Sequence, residues 1–146
     1  MNKYYFAYGM NTNIAEMTKR CPKATSLGKC LLENFELRFR THADIDLVPG
    51  SCMEGVLWEI TPECEDALDR LEGYPYYYNK INVVVNDDIV AMAYIMNDKC
   101  REAPPGLSYE KCLIEGYTAH GLNVDWLTET IDDVIMNYEL NEIQQK

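Results

Sequence analysis

Two short stretches of this chain carry residues able to do chemistry. The first, Tyr5-Phe6-Ala7-Tyr8-Gly9-Met10-Asn11, is an apolar run that stops abruptly at Gly9. A glycine there allows unusual backbone angles and close approach of a ligand to main-chain N–H groups. Asn11, Thr12 or Asn13 can cap a short helix beginning near Ile14, and a helix N-terminus opening out of a strand suits negative charge. The turn is thus a candidate cradle for an anion or a carbonyl oxygen. Taken alone, the stretch reads more simply as a buried edge of the fold ending in a turn. The second stretch centres on Glu72, just before Gly73. Thr61-Pro62-Glu63 starts a helix with a capping hydroxyl, a proline at the first helical position and an acidic first turn. Glu72 therefore falls at the helix C-terminus, facing the negative end of the dipole. Such placement raises a carboxyl pKa and suits a proton acceptor, although most glutamates at helix ends are plain surface residues.

The elements that must position these residues follow from periodicity and breakers. Lys3 to Tyr8 reads as a strand, and Ile14 to Arg20 as a short helix stopped by Cys21-Pro22. Ala24 to Leu32 and Phe35 to Arg40 alternate as strands. The polar segment Thr41 to Cys52, with Pro49-Gly50, reads as a loop, and its Asp44 and Asp46 as solvated charges rather than calcium ligands. Met53 to Ile60 is a strand in which Gly55 marks a bulge or a close backbone approach. Ala67, Leu68 and Leu71 give the next helix an apolar face. Ile81 to Val85 and Ile89 to Met96 form a hairpin across Asn86-Asp87-Asp88, followed by a loop over 97–106. Leu107 to His120 reads as a helix closed by Gly121. A last helix runs from near Asn123 to about Leu140, turning Trp126, Leu127, Ile131, Val134 and Ile135 inward, with a frayed tail over 141–146.

Composition bounds the function. A chain of 146 residues, 47% hydrophobic and 25% charged, fits one globular domain spanning 1–146 with a sizeable core. A formal net charge of -11 argues against nucleic-acid or anionic-membrane partners, which need clustered Lys and Arg. No run reaches the length of a membrane span, and MNKYYFAYGM holds too short an apolar segment for a secretory signal, so a cytoplasmic protein is expected. Six cysteines are scattered without a CxxC or paired histidines, so no metal site is indicated and reduced thiols are expected. A cysteine hydrolase using Cys52, Cys64 or Cys112 with His42 or His120 has no local motif behind it, and His120 is as well explained as a cation near a helix C-terminus.

Several segments resemble one family in order along the chain. Tyr5 to Asn11 resembles the Tyr-Gly-Ser-Asn strand of the γ-glutamylcyclotransferase superfamily, which includes γ-glutamylcyclotransferases, γ-glutamylamine cyclotransferases and AIG2-like proteins. Met53-Glu54-Gly55-Val56-Leu57-Trp58 resembles its Gly-x-Leu-Tyr/Trp strand, and Leu68-Asp69-x-x-Glu72-Gly73-Tyr74-Pro75-x-x-Tyr78 its Glu-Gly segment. Ala103-Pro104-Pro105 through Tyr109, Ile114-x-Gly116 and His120-Gly121-Leu122 resemble its C-terminal helical segment. Four matches in register are more specific than any one.

The resemblance implies an α+β fold, a small, strongly curved mixed or barrel-like β-sheet with surrounding helices, and a pocket where the Tyr8-Gly9 loop meets Glu72. It implies release of 5-oxoproline from a γ-glutamyl amide by attack of the substrate's own α-amine on its γ-carbonyl, with no cofactor. Glu72 would be base and then acid. The binding residues would be Tyr5, Phe6, Ala7, Tyr8, Gly9, Met10, Asn11, Tyr78 and Tyr109, the partner a small γ-glutamyl molecule, and the protein a monomer or homodimer. Met10 departs from the usual serine, which leaves a binding module on the same fold as the alternative. The Glu-Gly-Tyr-Pro-x-x-Tyr form is similar to the γ-glutamylamine and plant-induced branches, whereas Ala-Pro-Pro is similar to the branch acting on γ-glutamyl amino acids.

Overall fold

Apolar residues at strand spacing, collected from five segments, close on one another as a barrel in the computed structural model, which describes residues 2–144. The strands are β1 (Lys3–Ala7), β2 (Thr25–Arg40), β3 (His42–Ile60), β4 (Tyr78–Val85) and β5 (Ile89–Met96). Their order around the closed barrel is β1-β3-β2-β4-β5. Neighbours are antiparallel except β1 and β5, which run parallel with Tyr5 beside Met92. The closing seams are short, with β2 meeting β4 at Leu32 and Val85.

The helices α1 (Ile14–Arg20), α2 (Pro62–Leu71), α3 (Leu107–Ala119) and α4 (Val124–Gln144) surround the barrel. The cap signals operate as the sequence indicates: Asn13 Oδ1 accepts from the Glu16 N–H, and Thr61 Oγ1 from the Cys64 N–H. Leu68 of α2, Leu113 and Tyr117 of α3, and Leu127 and Ile131 of α4 are fully enclosed. Gly116 is the contact point between α3 and the segment after β1. A Cβ there would stand 2.4 Å from Thr12 Oγ1 and 2.7 Å from the Asn13 nitrogen, so only glycine lets the two backbones meet.

Three expectations are corrected. The segment Thr41 to Cys52 is not a loop but the first half of β3, paired with β2 from Arg40↔His42 to Phe35↔Leu47, with Thr41 alone at the reversal, at φ 68°. Asp44 misled the reading. It is a buried strand residue, tied at 2.9 Å to Arg40, 2.8 Å to Lys99 and 2.9 Å to the Met96 N–H. A charge with three donors can occupy a position that alternation reserves for an apolar side chain. Cys21 and Cys64 are not free thiols but a disulfide joining the end of α1 to the first turn of α2, with Cα atoms 5.0 Å apart. Residues 141–144 continue α4, and the rest of the expected frayed tail lies outside the described residues.

Among the described residues no helix is long and apolar enough to cross a membrane.

Candidate active site

β1 delivers its last residues to one end of the barrel, and the chain then breaks into a 3-10 turn, Met10–Thr12. Gly9 begins it at φ -115°, ψ -132°, so its use is space rather than a left-handed backbone. A Cβ there would lie 2.9 Å from the Tyr109 hydroxyl and 3.1 Å from Ala43 Cβ. The turn is fixed by Thr12, whose N–H and Oγ1 both donate to the Gly9 carbonyl, at 3.0 and 2.8 Å, and by Trp58 Nε1, which donates to the Asn11 carbonyl at 3.0 Å. In such a turn the first amide N–H groups, those of Met10 and Asn11, have no partner within the turn itself.

A cavity of about 210 Å³ opens at this point, lined by Tyr5, Tyr8, Gly9, Met10 and Asn11 and, from the facing elements, by Glu72, Tyr78 and Tyr109. Glu72 reaches it because α2 ends there: Glu72 is the C-cap, and Gly73, at φ 65°, turns the chain away. Burial pushes the Glu72 carboxyl up to about 7, with only the Arg20 charge pulling it down. The Asn11 amide is placed between two groups, donating through Nδ2 to the Tyr5 hydroxyl at 3.1 Å and approaching Glu72 Oε1 at 3.5 Å. Its Oδ1 is buried and finds no partner among the described residues.

The phenols form the walls. Tyr78 donates to the Ala43 carbonyl at 2.7 Å, Tyr8 to the Tyr94 carbonyl at 2.6 Å, and Tyr109 accepts from the Ala43 N–H at 3.1 Å. Burial first, and then the negative charge of Glu72 among other neighbours, raises the pKa of Tyr5, Tyr8, Tyr78 and Tyr109. All four stay neutral hydroxyls across the physiological range.

Two residues singled out in the sequence are placed elsewhere. Phe6 and Ala7 do not line the cavity; they are core, Phe6 lying against Gly55, where a Cβ would come within 2.4 Å of its ring. In a strand neighbours alternate sides, and here both sides are covered. The cysteine reading also loses its parts. Cys64 is in the disulfide, neither Cys52 nor Cys112 lines the cavity, and His120 pairs with Ser26 Oγ at 2.9 Å. Among the described residues no cluster of His, Cys, Asp or Glu is arranged to hold a metal ion.

Sequence reasoning missed Arg20, Ala43, Leu71, Tyr77 and Tyr94 as lining residues, and weighed His42 only as the base of a cysteine nucleophile. Arg20 could have been suspected as a cation in the last turn of the helix that follows the glycine turn. His42 and Ala43 were hidden in the segment read as a loop.

A family model for the AIG2-like family matches residues 52–129. The solved structures that the chain resembles include a γ-glutamyl cyclotransferase, 26% identical, with TM-score 0.79 over 89% of this chain and 86% of that one. An uncharacterised protein of Homo sapiens is 27% identical, with TM-score 0.78 over 88% and 86% of the two chains. YkqA from Bacillus subtilis shares the fold, at 22% identity and TM-score 0.80, this chain spanning 91% of its own length and 55% of that protein. No curated protein sequence matches the chain. With more than half of its length, including α2, Glu72 and α3, matched by the family model, this chain belongs to the AIG2-like family and has the γ-glutamylcyclotransferase-like fold.

Proposed function

We propose that the protein is a γ-glutamylcyclotransferase-type enzyme that releases 5-oxoproline and a free amine or amino acid from a γ-glutamyl amide. The observation that carries this reading is the Glu72 carboxyl, held near neutrality by burial in the cavity where the Gly9 turn opens. A base of this kind loses its proton near neutral pH and regains it readily, as a group that must both take and return a proton requires.

In this reading Glu72 and the free Asn11 Oδ1 receive the substrate's α-ammonium. Glu72 takes one proton, and the amine attacks the γ-carbonyl carbon to close a five-membered ring. The Asn11 N–H meets the oxyanion that forms, while the Met10 N–H is directed at the Tyr109 hydroxyl beside it. Protonated Glu72 then gives its proton to the departing nitrogen and the amide C–N bond breaks. The attacking nitrogen ends as a lactam N–H, and the two protons it sheds leave with the amine as its ammonium. Nucleophile and electrophile belong to one molecule, so no protein nucleophile is needed. Folding the substrate into attack geometry supplies up to roughly 7–11 kcal/mol, and the tyrosine walls, with Tyr5, Tyr78 and Tyr109, are the surfaces that fold it. Met10 retains the backbone amide that a serine would offer at this position, so the substitution leaves the main-chain donors of the turn in place.

The test is 5-oxoproline release by purified protein from γ-glutamyl amino acids, γ-glutamyl-lysine and glutathione, beside Glu72→Gln. Turnover that falls by about 10²-fold or more in the variant is expected, the scale of losing a general base. Turnover unchanged by the substitution rejects Glu72 as the base. Folded wild-type protein inactive on every member of the panel favours a binding module.

A further inference from the structure

The cavity contains a guanidinium whose hydrogen-bonding capacity is largely unspent. Arg20, on the last turn of α1, lines it together with Glu72, and its side chain is only 16% exposed. A guanidinium carries five N–H donors in a rigid fork. Nη1 of Arg20 donates to Glu16 Oε2 at 3.1 Å. Among the described residues Nη2 meets only the Met10 sulfur, at 3.0 Å, and a thioether is a weak acceptor. Nε is buried and has no partner among the described residues. We infer that Arg20 is the carboxylate-binding residue of this cavity, engaging a substrate carboxylate through the Nε and Nη2 edge that Met10 now covers.

The chemistry of the rest of the cavity supports this assignment. Arg20 and Glu72 are of opposite sign, and the Arg20 charge draws down the acids of both Glu72 and Tyr5 against their burial. One cavity thus offers a cation for a carboxylate and, at Glu72 and Asn11 Oδ1, acceptors for an ammonium. That pairing complements an amino-acid zwitterion, and the Nε and Nη2 edge suits two-point binding of a carboxylate. The inference rests on the γ-glutamyl reading for the identity of the substrate. Such a substrate carries a carboxylate beside its amine and, when an amino acid is the leaving group, another there. Either has the chemistry required.

Binding to the full chain carrying Glu72→Gln, in which turnover is expected to be slowed by about 10²-fold or more, separates the possibilities. Calorimetry with γ-glutamylalanine is expected to show at least tenfold weaker binding when Arg20→Gln is added, with intermediate weakening for Arg20→Lys, which keeps the charge and loses the fork. If the α-carboxamide of γ-glutamylalanine, which lacks the carboxylate beside the amine, is insensitive to Arg20→Gln, the head-group carboxylate is the ligand. If γ-glutamylethylamide, which lacks a leaving-group carboxylate, is the insensitive one, the leaving amino acid supplies it. Equal affinity for γ-glutamylalanine with and without Arg20, by both variants in folded protein, overturns the carboxylate site alone. No binding of γ-glutamylalanine to folded Glu72→Gln, together with no 5-oxoproline release from it by the wild type, overturns the γ-glutamyl reading and the substrate named here with it; where the wild type does turn it over, a KM unchanged by Arg20→Gln in the Glu72 background overturns the carboxylate site.

Discussion

Glu72 is held at the barrel mouth at a cost to the fold, and that cost has a pH signature. Its carboxyl stands at about 7 in the folded chain against 4.5 for the free group. The folded state therefore binds the proton more tightly, and the stability this confers is complete below about 4.5 and lost as pH rises to about 7. A shift of this size corresponds to about 3 kcal/mol. Glu72→Gln is accordingly expected to leave stability nearly unchanged at pH 4 and to raise it by up to about 3 kcal/mol at pH 8, measured by urea unfolding. A difference flat across that range would mean that burial does not perturb this carboxyl. Close by, Gly9 and Tyr109 share one tight contact. Gly9→Ala is expected to destabilise by about 1–3 kcal/mol through overpacking. Tyr109→Phe removes the acceptor of the Ala43 N–H, at about 1–3 kcal/mol. Because the added Cβ meets the hydroxyl that Tyr109→Phe deletes, the double variant should lose less than the sum, and strict additivity would deny the contact. At this scale the sequence was informative where a residue sat in a matched segment, as Glu72, Gly9 and Tyr109 did. It was misleading where matched residues are enclosed in the core, as Phe6 and Ala7 are.

At the scale of elements, the site is the meeting of two helix ends and a turn. The Cys21–Cys64 bond ties α1, which ends in Arg20, to α2, which ends at Glu72. It closes a loop with a sequence separation of 43 residues, for which chain entropy alone suggests about 4 kcal/mol. Reductant, or Cys64→Ser, is expected to lower the unfolding midpoint and to weaken γ-glutamylalanine binding by freeing the α1 end. A midpoint indifferent to reductant would show that the bond does not form in solution. Helix starts and stops were legible because capping is local: Asn13, Thr61-Pro62 and Gly73 each specify their own turn. The disulfide was not, because Cys21 and Cys64 are brought together only by the docking of two helices, which spacing along the chain does not encode.

For the whole molecule, barrel closure is what places α2 opposite the end of β1, and Asp44 helps hold that closure. It joins the tip of the β2–β3 hairpin to β5 through Met96 and to the following segment through Lys99. Asp44→Ala leaves the buried Met96 N–H without its acceptor while Arg40 keeps Asp46 at 2.9 Å, and is expected to cost about 1–3 kcal/mol, read by denaturant unfolding; no measurable loss would assign closure to the apolar core alone. The apolar strands behind a turn signal, β5 above all, were readable in advance, since Ile89–Met96 is apolar throughout and follows Asn86-Asp87-Asp88. The first half of β3 was not, since a buried ion pair carries the signature of a surface loop until Arg40, Asp44 and Lys99 are seen together.

The central claim is that Glu72 accepts the substrate's proton from a position where burial holds it near neutrality. The pH dependence of kcat/KM for 5-oxoproline release, with the best γ-glutamyl substrate of the panel, tests this most directly. The account predicts a rate that rises with pH through an apparent pKa close to 7 as the carboxylate forms, and no such limb in the residual activity of Glu72→Gln. A wild-type profile flat from pH 5 to pH 8, or a limb near 7 that persists in Glu72→Gln, would contradict it.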